Sequence, residues 1–175
     1  GLKILKLKKV NEALVVAKKT NKFFPDDIEG MVVLGSCLRA NGNFDESLKH
    51  LNKAINLNPN YAEALINRGL ISLTQKDKSN ALTDLEKAHE LKPYIKQIWD
   101  LLIGLIIEAK DYSKAISILI RMIEVDPNHQ KSFSLLAGCI EKANDPVLAI
   151  TSFEKILEFR PDDAVMHLNL GIAFQ

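Results

Sequence analysis

The residues that could act as nucleophile, metal ligand or acid–base pair are few in this 175-residue chain. Cys37 and Cys139 are the two thiols, and His50, His89, His129 and His167 are the four histidines. None of them has a Cys or His partner at the short spacing of a zinc site. Asp26-Asp27 and Asp162-Asp163 pair carboxylates, as general acid–base work would need. Each pair, however, directly follows a proline, Pro25 or Pro161. There acidic side chains are expected to open a helix, capping its free N–H groups and complementing its dipole. The phosphate-cradling strings G-x-x-x-x-G-K-[ST] and G-x-G-x-x-G do not occur, nor do the catalytic strings G-x-S-x-G and H-E-x-x-H. The residues predict a chain that is not itself an enzyme and that holds no cofactor and no metal.

Composition agrees with an ordinary globular chain, 47% apolar and 26% charged. The longest apolar run, Leu101 to Ile107, is far short of the roughly 20 residues a membrane-spanning helix needs. No membrane span is expected. The net charge of +1 hides an asymmetry, because residues 1–22 carry seven lysines (Lys3, Lys6, Lys8, Lys9, Lys18, Lys19, Lys22) against Glu12. That segment has neither arginine nor aromatic residue, so it lacks the stacking groups of a nucleic-acid surface. No nucleic-acid partner is predicted, and the lysines are read as a solvated helix face.

The elements that position these residues follow from the prolines. Pro25, Pro59, Pro93, Pro127 and Pro161 stand 34 residues apart, and only Pro146 is off that grid. Proline is tolerated just outside a helix and rarely within one, so the register marks five equivalent corners between helices. With the proline as position 32, full units run over 28–61, 62–95, 96–129 and 130–163. Residues 1–27 then form the C-terminal part of a preceding repeat, with Gly1 at position 8 of a first helix, and 164–175 form the first helix of a following one. The pattern is expected to continue beyond both ends.

Within a unit, apolar or small residues recur at positions 4, 7, 8 and 11, and again at 20, 24 and 27, at helical spacing. The first unit supplies Met31, Leu34, Gly35, Leu38, Ser47, Leu51, Ala54 and Pro59. The second supplies Leu65, Arg68, Gly69, Ser72, Ala81, Leu85, Ala88 and Pro93. The third supplies Trp99, Leu102, Ile103, Ile106, Ala115, Leu119, Met122 and Pro127, and the fourth Phe133, Leu136, Ala137, Ile140, Ala149, Phe153, Ile156 and Pro161. This pattern resembles the tetratricopeptide repeat across essentially the whole chain. Arg68, Ser72 and Ile103 depart from it. Turns between paired helices are signalled at Asn41-Gly42-Asn43, Gln75-Lys76-Asp77, Lys110-Asp111 and Asn144-Asp145. Asp145 is placed as an N-cap with Pro146 at the first helical position. The expected fold is all-α, about ten helices in antiparallel pairs, and the resemblance implies a right-handed superhelical solenoid. Cys37 and Cys139 fall three repeats apart, too far for a disulfide, and are read as core thiols.

The resemblance also implies a ligand surface on the concave side, lined by the first helices. Position 5 places Val32, Ile66, Asp100, Ser134 and Leu168 there, and position 6 Val33, Asn67, Leu101, Leu135 and Asn169. Position 9 adds Ser36 and Leu70, and position 12 adds Arg39, Leu73 and Ile107. The lining is mainly apolar. Chaperone-binding relatives grip an acidic C-terminus with a Lys–Asn–Arg clamp, of which only Asn67 is matched here. Val32, Ser36, Gln97 and Leu101 occupy the surrounding slots. An asparagine ladder would need more than Asn67 and Asn169, since Leu101 and Leu135 interrupt it. The expected function is therefore a scaffold that holds a protein or peptide partner in an apolar groove, by laying a helix or amphipathic segment along it. Two alternatives stand beside it: the targeting arm of a larger enzyme such as a glycosyltransferase or sulfotransferase, and a module of self-association.

Overall fold

The computed structural model describes residues 2–174, and the side chains of residues 9–174. The chain divides into two compact units, Gly1–Lys92 and Pro93–Gln175. The described residues are helical and form no strand. In the first unit the helices are α1 (Leu2–Phe23), α2 (Ile28–Ala40), α3 (Phe44–Leu57), α4 (Ala62–Thr74) and α5 (Lys78–Leu91). In the second they are α6 (Trp99–Glu108), entered through a 3-10 turn at Lys96–Ile98, then α7 (Tyr112–Val125), α8 (Gln130–Ala143), α9 (Pro146–Phe159) and α10 (Ala164–Ala173).

Helix starts follow the sequence signals. Asp27 accepts a hydrogen bond from the Gly30 amide at 2.8 Å, and one Asp163 oxygen accepts from the amides of Val165 and Met166. Asp145 does the same for Val147 and Leu148, with Pro146 opening α9. Ile95, at the corresponding place before the third unit, has no side-chain acceptor, and there the chain enters through the 3-10 turn. The helices α2, α4, α6 and α8 are each followed by a residue in the left-handed region at position 15: Gly42 (φ 81°), Lys76 (64°), Lys110 (59°) and Asn144 (50°). In the first three turns the next amide closes the helix by reaching back five residues, as from Asn43 to the Leu38 carbonyl and from Asp77 to that of Ser72, both 2.9 Å. This is the Schellman closure, normally served by glycine and here made twice by lysine.

The first unit packs its helices in the expected pairs, α2 on α3 and α4 on α5, with α1 against α2 and α4 also touching α2 and α3. Small residues set the closeness of each pair. A Cβ on Gly35 would lie 2.8 Å from Leu51 Cδ2, so Leu51 occupies the space a side chain would need. On Gly69 it would meet Leu85 Cγ at 3.2 Å and the Ala81 carbonyl at 3.3 Å. Ser47 Oγ donates to the Gly35 carbonyl at 2.6 Å, which satisfies a fully buried hydroxyl at the same crossing.

Three readings of the sequence are corrected. Residues 2–23 form one unbroken helix, not the end of a first helix followed by a turn. The stretch Leu7 to Leu14 holds no glycine, proline or capping turn that would break it. In the second unit, α7 packs on α8 and α9 on α10, whereas α8 and α9 make no extensive contact. Only Asn144 and Asp145 separate α8 from α9, and the five-residue closing bond seen in the other turns is replaced by one from Asn144 to Ile140. Ala137, which the repeat pattern puts at a helix crossing, is consequently exposed.

The departure at position 7 has a structural cause. Arg68 forms a two-pronged ion pair with Asp84, Nε to Oδ2 at 2.8 Å and Nη2 to Oδ1 at 2.7 Å, and Nη1 donates to Asn52 Oδ1 at 3.0 Å. Asp84 is only 4% exposed, so its charge depends on this partner. Hydrogen bonding to Asp84 holds the Arg68 guanidinium above its ordinary ionisation range.

Two expected outcomes test this packing. Gly35→Ala should lower stability by about 1–3 kcal/mol through overpacking against Leu51, read as a lower denaturant midpoint with helicity retained. Arg68→Leu, although it restores the residue usual in the pattern, should cost about 3–5 kcal/mol because Asp84 is left buried and unpaired. Arg68→Leu combined with Asp84→Leu should recover most of that loss, and a double variant no better than the single one would show that the pair is not the cause.

Candidate functional site

In the first unit the candidate face is built by α2 and α4. Helical spacing puts Val33, Ser36 and Arg39 on one side of α2, and Asn67 and Leu70 with Ile66 and Leu73 on α4. The two helices meet on this side through Arg39 Nε, which donates to Asn67 Oδ1 at 3.0 Å. Asn67 Nδ2 in turn donates to the Glu63 carbonyl at 2.8 Å, fixing the amide. Val33 is 48% exposed, while Ser36, Ile66, Leu70 and Leu73 are half-buried. Val32 is 6% exposed and belongs to the core, so it cannot line a groove.

In the second unit Leu101 is 40% exposed, Ile107, Leu135 and Asn169 are half-buried, and Asp100, Ser134 and Leu168 are exposed. Asp100 is paired with Lys131 at 2.6 Å, and Ser134 Oγ is turned back to the Gln130 carbonyl. α10 exposes Val165, Leu168 and Ile172 along one side, with Phe174 just beyond it.

Cavities are bordered by other residues within each unit. One of about 360 Å³ lies between α7 and α9, bordered by Ile116, Ile120, Leu148 and Lys155. Another of about 360 Å³ lies by α8 and the start of α10, where Arg160 sits 4.7 Å over the Phe133 ring and pairs with Asp163 at 3.1 Å. The third, about 380 Å³, adjoins Arg68 and Asp84. None of these three cavities is bordered by Val33, Arg39, Ile66, Asn67 or Leu70.

The other residues singled out in the sequence are structural. Asp26 pairs with Lys53 at 2.9 Å, and Asp27 and Asp163 cap helices. Cys37 and Cys139 are free thiols whose ionisation burial pushes up, which makes them poor nucleophiles. His129 Nδ1 lies 2.7 Å from Ser132 Oγ, and its ring meets Trp99 edge-on at 5.2 Å. Among the described residues no three metal-ligating side chains come together, and no helix is long and apolar enough to cross a membrane. Of the basic segment, Lys18 pairs with Glu46 at 3.4 Å and Lys9, Lys19 and Lys22 are exposed. Lys3, Lys6 and Lys8 lie outside the described side chains.

Sequence reasoning missed the Arg39–Asn67 and Arg68–Asp84 links. Arg68 itself was the available signal, since a charge at a core position requires a partner nearby. Nothing in the spacing pairs Arg39 with Asn67, which come from separate repeats.

Paired helices whose turns share one register and whose crossings are fitted by small residues define a helical-repeat protein. A family profile described as TPR repeat matches residues 35–76, and one described as tetratricopeptide repeat matches residues 62–94. Residues 35–94 therefore carry tetratricopeptide repeats. Similar solved structures include MamA from Desulfovibrio magneticus RS-1, 23% identical over 93% of each chain with a TM-score of 0.60. YrrB, described as a TPR protein with an unusual peptide-binding site, is 15% identical over 93% of this chain and 84% of that one, TM-score 0.60. A chain of the Naa15/Naa10 complex bound to HypK-THB is 18% identical over 93% of this chain and 24% of its own length, TM-score 0.73. At these identities the likeness establishes the fold. No curated protein sequence matches the chain.

Proposed function

We propose that this protein is a scaffold that holds a segment of another polypeptide along the exposed sides of its first helices. The observation that carries the reading is the α2–α4 face, where Val33, Ile66, Leu70 and Leu73 present apolar surface and Arg39 and Asn67 a fixed polar pair. Half-exposed apolar residues beside a few convergent polar groups favour a helix or extended peptide held by side-chain burial, with polar contacts setting its register. Leu101, Ile107 and Leu135 offer a comparable surface in the second unit.

Capture from a source lysate tests this with the parent chain beside two variants, Val33→Lys with Ile66→Lys and Leu101→Lys with Leu135→Lys, each first confirmed helical by circular dichroism. Partners kept by the parent and lost with the first variant locate binding on α2–α4. An identical set from all three proteins rejects the first-helix faces as the binding surface.

The apolar side of α10, with Val165, Leu168 and Ile172 exposed, favours a second reading, self-association. It predicts a mass in sedimentation that rises with concentration and falls back on Leu168→Lys with Ile172→Lys. A constant monomer mass would reject it.

A further inference from the structure

Arg39 differs from the arginines that face carboxylates. Arg68 is held by Asp84 and Arg160 by Asp163. The half-buried Arg39 has a single side-chain partner, the neutral amide of Asn67, and no described carboxylate lies within ion-pair distance. Its Nε is committed to Asn67 and the amide is itself anchored to the Glu63 carbonyl. The guanidinium is therefore oriented in advance, with its Nη donors left over. Burial lowers its ionisation from the usual arginine range, a sign that the charge has given up part of its hydration without gaining a counter-charge. It remains cationic at any physiological pH.

Apart from Arg68 in the middle of α4, which is held by Asp84, the charges of these two helices are also segregated. Glu29 and Glu63 sit in the first turns of α2 and α4, and Arg39 in the last turn of α2. Glu63 is already bound by Lys92. The Arg39 end of the face is positive, and the apolar Val33, Ile66 and Leu70 lie on the same two helices.

We propose that the α2–α4 face takes a partner segment bearing an acidic side chain beside apolar ones, with Arg39 meeting the carboxylate and Val33, Ile66 and Leu70 the apolar groups. This rests on the peptide-holding reading above and adds the chemistry of the ligand. The cation stands at position 12, away from positions 5 and 9, where Val32 and Ser36 replace the clamp of chaperone-binding relatives. A guanidinium with two free Nη groups suits a carboxylate, because charge-assisted paired hydrogen bonds gain strength where water is partly excluded.

A random peptide library displayed on phage, selected on the parent chain, supplies the probes. The winning peptides are then synthesised and their affinities measured by fluorescence polarisation. Winners should carry Asp or Glu flanked by apolar residues and bind about tenfold or more weakly to Arg39→Gln, which keeps a donor for Asn67 but no charge. Replacing the acidic residue by its amide should cost a similar factor and cost little more when combined with Arg39→Gln. Arg39→Lys should fall between, and binding should weaken with salt. Retained affinity after the side-chain replacement, but loss on amidating the peptide's C-terminus, would overturn the side-chain assignment. Winners that lose binding to Ile66→Lys but not to Arg39→Gln would overturn the anion anchor while leaving the apolar face standing. Winners indifferent to both variants, or none at all, would overturn the anchor and the face together.

Discussion

The structure depends on how closely two helices can approach. At the α2–α3 crossing the absence of a side chain on Gly35 lets Leu51 lie where a Cβ would be, at 2.8 Å. Gly69 plays the same part toward Leu85 and Ala81. This intimacy lets a short hairpin bury Met31, Leu38, Leu51 and Leu65 completely or nearly so, and such burial outweighs the ordering cost of small helices that would be marginal alone. The remaining sides of the first helices then stay partly open to solvent, and the candidate binding face is made there.

Polar residues inside this framework are handled in two ways. Arg68 and Asp84 are satisfied within the fold, with Asn52 taking a further donor, so an ion pair occupies a place normally filled by leucine. Arg39 is positioned by Asn67 and given no counter-charge. The first arrangement makes the pair part of the core. The second leaves a prepared cation on the surface, and a cation held in place loses less freedom when a ligand arrives.

The second unit shows that one repeat pattern does not compel one packing. α6 begins late, behind a 3-10 turn over Lys96–Ile98, whereas α4 and α8, whose N-caps Tyr61 and His129 also make no side-chain cap bond, begin directly. α8 rests on α7 and leaves Ala137 exposed, although its sequence keeps the spacing of a paired first helix. Arg160 laid over Phe133 and tied to Asp163 covers part of a position that the pattern gives to hydrophobic packing.

By itself the sequence determined the period, the resemblance to the tetratricopeptide repeat, the helix corners and most of the core, because prolines at 34-residue intervals and small residues at fixed positions act through local rules of backbone and spacing. It also placed Asp27, Asp145 and Asp163 as caps, since a cap needs only its own next turn. Only the tertiary structure decided that Val32 is core while Val33 is surface, that Arg68 meets Asp84, that Arg39 meets Asn67 without a carboxylate, and that α8 leaves α9 for α7. Those outcomes turn on distances between residues from different helices, and a repeat spacing specifies which side a residue occupies but not how near its neighbour comes or what that neighbour carries.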